Sequence, residues 1–142
     1  MAFGNTDLGR LLAKFNMARS DGSALLPPPY NIVAKTTSYT VKPNDLGGTL
    51  FTTRGAAGAV TFTLPGPTTV PAGTAFYFAN VVDQNMAVTI GSATGVADGN
   101  ATATSLTAST ASHKIGALIQ AVSDGTQWFL FGQNVGVTYT VA

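Results

Sequence analysis

The chain has no cysteine and no glutamate, and only one histidine and one tryptophan. Without thiols it has no disulfide staple, no thiolate nucleophile and no sulfur-ligated zinc site. Such a chain suits synthesis in a reducing cytoplasm followed by release. Charge is equally scarce: 9% of residues are charged, where a soluble monomer carries about a quarter. The formal net charge of +1 gives no footprint for nucleic acid. No apolar run reaches the roughly 18 residues of a membrane span, and the N-terminus lacks the basic-then-apolar order of a secretory signal. At 142 residues the chain is one domain's worth, able to bury about two-thirds of its unfolded surface.

What is present is small and β-favouring. Threonine and alanine, 21 each, with 16 glycines make up about two-fifths of the chain. Charge deficit on that scale means either a surface covered by neighbouring subunits, the reading adopted here, or an exposed threonine-rich sheet kept soluble by hydroxyls. The charges are also unevenly placed. Before residue 43, Arg10, Lys14, Arg19, Lys35 and Lys42 face only Asp7 and Asp21. After it, Arg54 and Lys114 are outnumbered by Asp45, Asp83, Asp98 and Asp124. A basic arm thus precedes a slightly acidic body.

In that arm Asn5 or Thr6 caps a helix, Asp7 suits its positive end, and Leu8, Leu11, Leu12 and Phe15 form one apolar face. The spacing predicts a helix over 6–19. An isolated helix of that length is marginal in water, so its stripe must pack on its own body or on another protein. The stripe is short and lacks tryptophan, which disfavours a membrane surface. Ser20-Asp21-Gly22-Ser23 ends the helix, and Pro27, Pro28 and Pro29 enforce an extended spacer running into Tyr30. Residues 1–35 therefore form an arm, with Leu8, Leu11, Leu12, Phe15, Pro27, Pro28, Pro29 and Tyr30 as its partner contacts. Residues 36–142 form the body.

The body is patterned for strands. In 44–65, NDLGGTLFTTRGAAGAVTFTLP, Val60, Phe62 and Leu64 alternate with Thr61 and Thr63, and Pro65 ends the pairing. Short strands are predicted at 37–41, 49–53, 59–64, 74–81, 87–90, 112–123, 127–132 and 137–141. Turns every 8–12 residues are the mark of a sandwich or barrel (about that spacing in general). Asp124-Gly125-Thr126 predicts a hairpin. The stretch 94–111 has few large side chains, so it is expected as a long loop or edge strand. Phe76, Phe78, Trp128 and Leu130 alternate with Tyr77, Phe129 and Phe131, making both faces of two strands apolar. One face fills a core; the other, with Tyr77, Phe129 and Phe131, is a candidate subunit contact.

No reactive constellation emerges. A lone His113 supports no metal cluster, and Asp98-Gly99-Asn100 does not continue into a calcium loop. Neither phosphate-binding glycine motif occurs, and Gly91-Ser92-Ala93-Thr94-Gly95 places its serine wrongly for a nucleophile elbow. No cofactor, catalytic residue or metal ligand is expected.

The Asp-Gly turn, the short strand with Phe51, the Gly-Ala break, V-T-F-T-L-P and the later Gly125-Thr126-Gln127-Trp128-Phe129 hairpin resemble a β-sandwich domain of tailed-bacteriophage structural proteins. The resemblance covers residues 36–142. It implies an all-β fold, an antiparallel, jelly-roll-like β-sandwich following an N-terminal helical and extended arm, assembled as a homotrimer in a virion. Small size, the start Met and an arm too short for a fibre shaft favour a capsid decoration (cement) protein. It would be made in the host bacterial cytoplasm, sit on the capsid surface and contact the major capsid protein, with no nucleic acid or membrane partner. The alternative is a small tail-fibre or head-fibre tip that binds host glycans.

Overall fold

The computed structural model describes residues 31–91, 94–109, 114–133 and 139–142. The predicted helix, the triple proline and His113 lie outside them. The body spans Asn31–Ala142. Its strands are β1 (Ile32–Ala34), β2 (Tyr39–Thr40), β3 (Leu50–Thr52), β4 (Val60–Thr63), β5 (Ala75–Ala79), β6 (Met86–Thr89), β7 (Gly95–Ala97), β8 (Asn100–Ala103), β9 (Ser105–Ala108), β10 (Leu118–Ser123), β11 (Trp128–Gly132) and β12 (Tyr139–Val141). A 3-10 turn at Pro67–Thr69 is the one helical element among the described residues.

The strands form a seven-stranded sheet, β1-β3-β5-β10-β11-β7-β8, and a five-stranded sheet, β12-β9-β6-β4-β2. From β1 to β6 the chain changes sheet at every strand. Each strand therefore lies beside the one two before it and runs the same way, so the first half is wound as a flattened coil. Parallel pairing follows for β1 with β3, β3 with β5, β2 with β4 and β4 with β6, and again for β7 with β11. The antiparallel, jelly-roll-like arrangement expected from sequence is thus corrected to two mixed sheets. Antiparallel strands can be joined by a tight return, whereas from β1 to β6 every connection crosses to the other sheet. The β10–β11 hairpin makes such a return. Asp124 Oδ1 accepts from the Thr126 and Gln127 amides at 2.8 and 2.7 Å, and Gly125 takes the left-handed φ of 89° that the turn requires.

Inward-facing alternate residues of the two sheets share one core. Phe51 and Phe78 from the larger sheet meet Phe62 from the smaller one, with ring centroids 5.8 and 4.9 Å from it. Val60, Phe62 and Leu64 are buried as the alternation predicts. Each such side chain contributes roughly 1.5–3 kcal/mol when fully buried. Trp128 is wholly buried, and its indole N–H donates to the Pro65 carbonyl at 2.8 Å. Pro65 thereby ends a strand and supplies the acceptor a buried indole needs.

Two expectations change. Residues 32–34, assigned to the arm, are the edge strand β1, paired with β3. Of 94–111, expected as a long loop or an edge strand with exposed threonines, β8 is such an edge, with Thr102 exposed, but β7 is an interior strand of the larger sheet and β9 lies inside the smaller one between β6 and β12. Ala97, Ala103, Leu106 and Ala108 are buried there, so small side chains belong to the core where backbones approach closely. Gly95 shows why: a Cβ at that position would collide with the Trp128 carbonyl and lie 2.7 Å from Ile90 Cδ1.

Polar groups in the interior are paired. Asn80 is fully buried; its side chain accepts from Thr53 Oγ1 at 2.7 Å and donates to the carbonyls of Gln84 and Lys114 at 2.8 and 3.0 Å. One amide thereby ties together three loops at the same end of the strands. At the first turn of the coil, Lys35 Nζ sits 3.6 Å from the centroid of the Tyr39 ring, and the Tyr39 hydroxyl donates to Asp45 at 3.0 Å. Burial, and then the hydrogen bond to the Asp45 carboxylate, raise the Tyr39 pKa above the usual phenol value.

Candidate interaction surface

The registers of the larger sheet bring side chains from five strands into one outward row: Ile32, Leu50, Tyr77, Gln120 and Phe131. A neighbouring row holds Ala75, Val122, Phe129 and Val96. This face carries no charged side chain in either row. Ile32 is 66% exposed and Phe131 49%, while Tyr77 and Phe129 are half-buried by their neighbours. Gln120 donates to the Tyr77 hydroxyl at 3.3 Å and accepts from the Gln133 amide. The polar atoms at the centre of the apolar field are therefore oriented along the sheet.

The outer face of the smaller sheet is its chemical opposite. There Thr40, Thr63, Thr89 and Ser105 stand in one register row, and Thr61, Ala87, Thr107 and Thr140 in the next. Hydroxyls give this face its contact with water and explain how so few charges suffice. The two outer faces thus differ in kind, one apolar and one lined with hydroxyls.

Tyr77, Phe129 and Phe131, singled out in sequence as subunit contacts, lie together on the apolar face, while Phe76, Phe78, Trp128 and Leu130 fill the core. The structure thus distinguishes the core face from the outward one. Sequence reasoning missed Ile32, Leu50, Gln120 and Val122 as members of the surface. The alternation Leu118-Ile119-Gln120-Ala121-Val122 carries that signal for β10, but only strand order places it beside β5 and β11. Leu8, Leu11, Leu12, Phe15, Pro27, Pro28, Pro29 and Tyr30 lie outside the described residues.

A pocket of about 190 Å³ opens between the sheets, lined by Asp98, Leu106, Leu130, Phe131, Gly132 and Tyr139. Its lining is mixed, with Asp98 and Tyr139 as the polar side chains among Leu106, Leu130 and Phe131. Among the described residues no group of three or more His, Cys, Asp or Glu side chains is placed to hold a metal ion. No helix among them is long and apolar enough to cross a membrane. A scan against protein-family models finds no match to this chain, and a search of curated proteins finds none either.

Proposed function

We propose that this chain is a non-enzymatic structural protein of a tailed-phage virion, a capsid decoration protein that acts as a homotrimer on the shell built by the major capsid protein. The observation that carries the reading is the charge-free outer face of the seven-stranded sheet, with Ile32, Leu50, Tyr77, Phe129 and Phe131, set against a threonine face on the other side. The two-sheet body is read as a β-sandwich with one wet and one covered side. Aromatic residues with few charges are the composition of an interface core, and subunits that bury such a face exclude water from a surface of several hundred Å². The arm of residues 1–35 would supply the contact with the shell. A protein that binds only the assembled shell stabilises it by mass action. The glycan-binding fibre tip is the weaker reading, because Trp128, the single indole that a sugar platform would use, is buried in the core.

Light scattering at micromolar concentration tests the assembly. The wild-type chain should give the trimer mass, and the double variant Tyr77→Lys, Phe131→Lys a folded monomer, since neither side chain fills the core. A monomeric wild type would remove the reading. For location, shells stripped of this protein should break at lower temperature and recover on add-back. Equally robust shells that fail to adsorb to host cells would transfer the assignment to the fibre tip.

A further inference from the structure

Outside the apolar face, one cluster joins a nucleophile, an electrophile and a proton carrier. Lys114 Nζ donates to Asn85 Oδ1 at 3.2 Å and lies 3.7 Å from Asp83 Oδ1. The Lys114 side chain is only 15% exposed, although Asp83 is 63% exposed. Most of the Lys114 side chain is thus covered, while its ammonium meets the amide and the carboxylate at the surface, where Asn85 and Asp83 are both exposed. The backbone is fixed on both sides of the contact. The buried Asn80 amide holds the carbonyl of Lys114 itself and that of Gln84, next to Asn85. The Asn85 carbonyl in turn accepts from the Val60 amide at 3.0 Å. Asn85 leads into β6 of the smaller sheet and Lys114 precedes β10 of the larger one, so the pair bridges the two layers of the body.

From this geometry we propose that Lys114 and Asn85 form an intramolecular isopeptide bond, assisted by Asp83. The uncharged Lys114 amine attacks Asn85 Cγ, forming a Nζ–Cγ bond and a tetrahedral centre. The Asp83 carboxylate accepts the proton released from Nζ and delivers it to Asn85 Nδ2. The Cγ–Nδ2 bond then breaks and ammonia leaves, regenerating the Asp83 carboxylate. No oxidant, metal or cofactor is needed, because one amide is exchanged for another. Nζ lies 3.2 Å from the oxygen bonded to the carbon it would attack, so a small side-chain shift suffices, and holding two reacting groups together raises their effective concentration by orders of magnitude. The role is distinct from the assembly described above. A chain without cysteine gains a covalent tie between its sheets that no reducing compartment can open.

Intact mass measurement of the full-length protein, aged over a series of pH values up to the alkaline range, tests this directly. The wild type should become lighter than its sequence mass by one ammonia, and the bond should make the Lys114 peptide link resistant to trypsin. Lys114→Arg keeps the charge and the contacts but should retain the full mass. Asn85→Asp should lose water instead of ammonia if it reacts, and Asp83→Ala should slow the wild-type loss at least tenfold. A wild-type chain that keeps its full mass throughout would overturn the proposal. So would an ammonia loss that persists in Lys114→Arg, since that loss would arise from an asparagine closing on its own backbone.

Discussion

Replacing Asn80 by alanine removes a side chain with three hydrogen-bond partners on three loops and no contact with water. The Thr53 hydroxyl is left in a buried site, and although it still accepts from the Val81 amide at 3.0 Å, it loses its own acceptor. A buried polar group left unpaired costs about 1–3 kcal/mol. The Gln84 and Lys114 carbonyls are only partly buried around this contact, so water entering the vacated space recovers part of their loss. Counting the full penalty for Thr53 and about half for each carbonyl gives a destabilisation of about 2–6 kcal/mol, near 4 at the middle of the range. For a body of this size the middle value corresponds to a fall in Tm of roughly 10–20 °C. Urea denaturation followed by tryptophan fluorescence should show the midpoint falling with the slope unchanged. Asn80→Asp should be worse at neutral pH, because its carboxylate would face two carbonyl oxygens in place of its donors. The folded-state pKa of that aspartate would be raised, so its deficit should shrink as pH falls and protonation restores a donor. A loss below about 1 kcal/mol for Asn80→Ala would refute the reasoning, by showing that the three loops hold their positions without the amide.

Trp128→Phe should cost about 2–3 kcal/mol through the lost hydrogen bond to Pro65 and the space left by the smaller ring. Calorimetry measures it, and an unchanged Tm would mean that the indole contact contributes nothing. Asp124 has its carboxyl pKa lowered, first by the Gln127 amide and then by the Thr126 amide. Its contribution to stability is present above the unfolded-state value and is lost as pH falls through the lower folded value. Thermal unfolding of Asp124→Asn should therefore be less sensitive to acid below about pH 4 than that of the wild type, and parallel profiles would contradict the assignment.

The local half of this fold was legible in the sequence. Period-two alternation in Val60-Thr61-Phe62-Thr63-Leu64 separated buried from half-buried side chains, and Asp124-Gly125 marked the β10–β11 hairpin, whereas the Asp98-Gly99 turn between β7 and β8 went unread. Partner choice was not legible. Alternation has the same form in a parallel or an antiparallel neighbour, and nothing in Thr49–Thr52 says that the chain crosses to the other sheet before and after it. Within 94–111 the edge strand β8 was anticipated, but the interior places of β7 and β9 were not, because burial was judged by side-chain size. Ala97 and Ala103 are interior where Gly95 lets β7 lie against β11, and Ala108 where β9 sits between β6 and β12, facts of backbone placement. The apolar face was half legible: the alternating aromatics of β5 and β11 identified Tyr77, Phe129 and Phe131, while Ile32 and Leu50 join them only through register.

The winding of β1 to β6 bears on how the chain is made. Each strand in that run pairs with the turn before it, so the first turns can settle as they leave the ribosome, N-terminal part first. Growth then has a front, formed by whichever of β5 and β6 has just been laid down, and that front stays open until β10 and β9 arrive to cover it. Nascent chains are open to mispairing with one another along a moving edge, and only for as long as the last third of the polypeptide is still being synthesised.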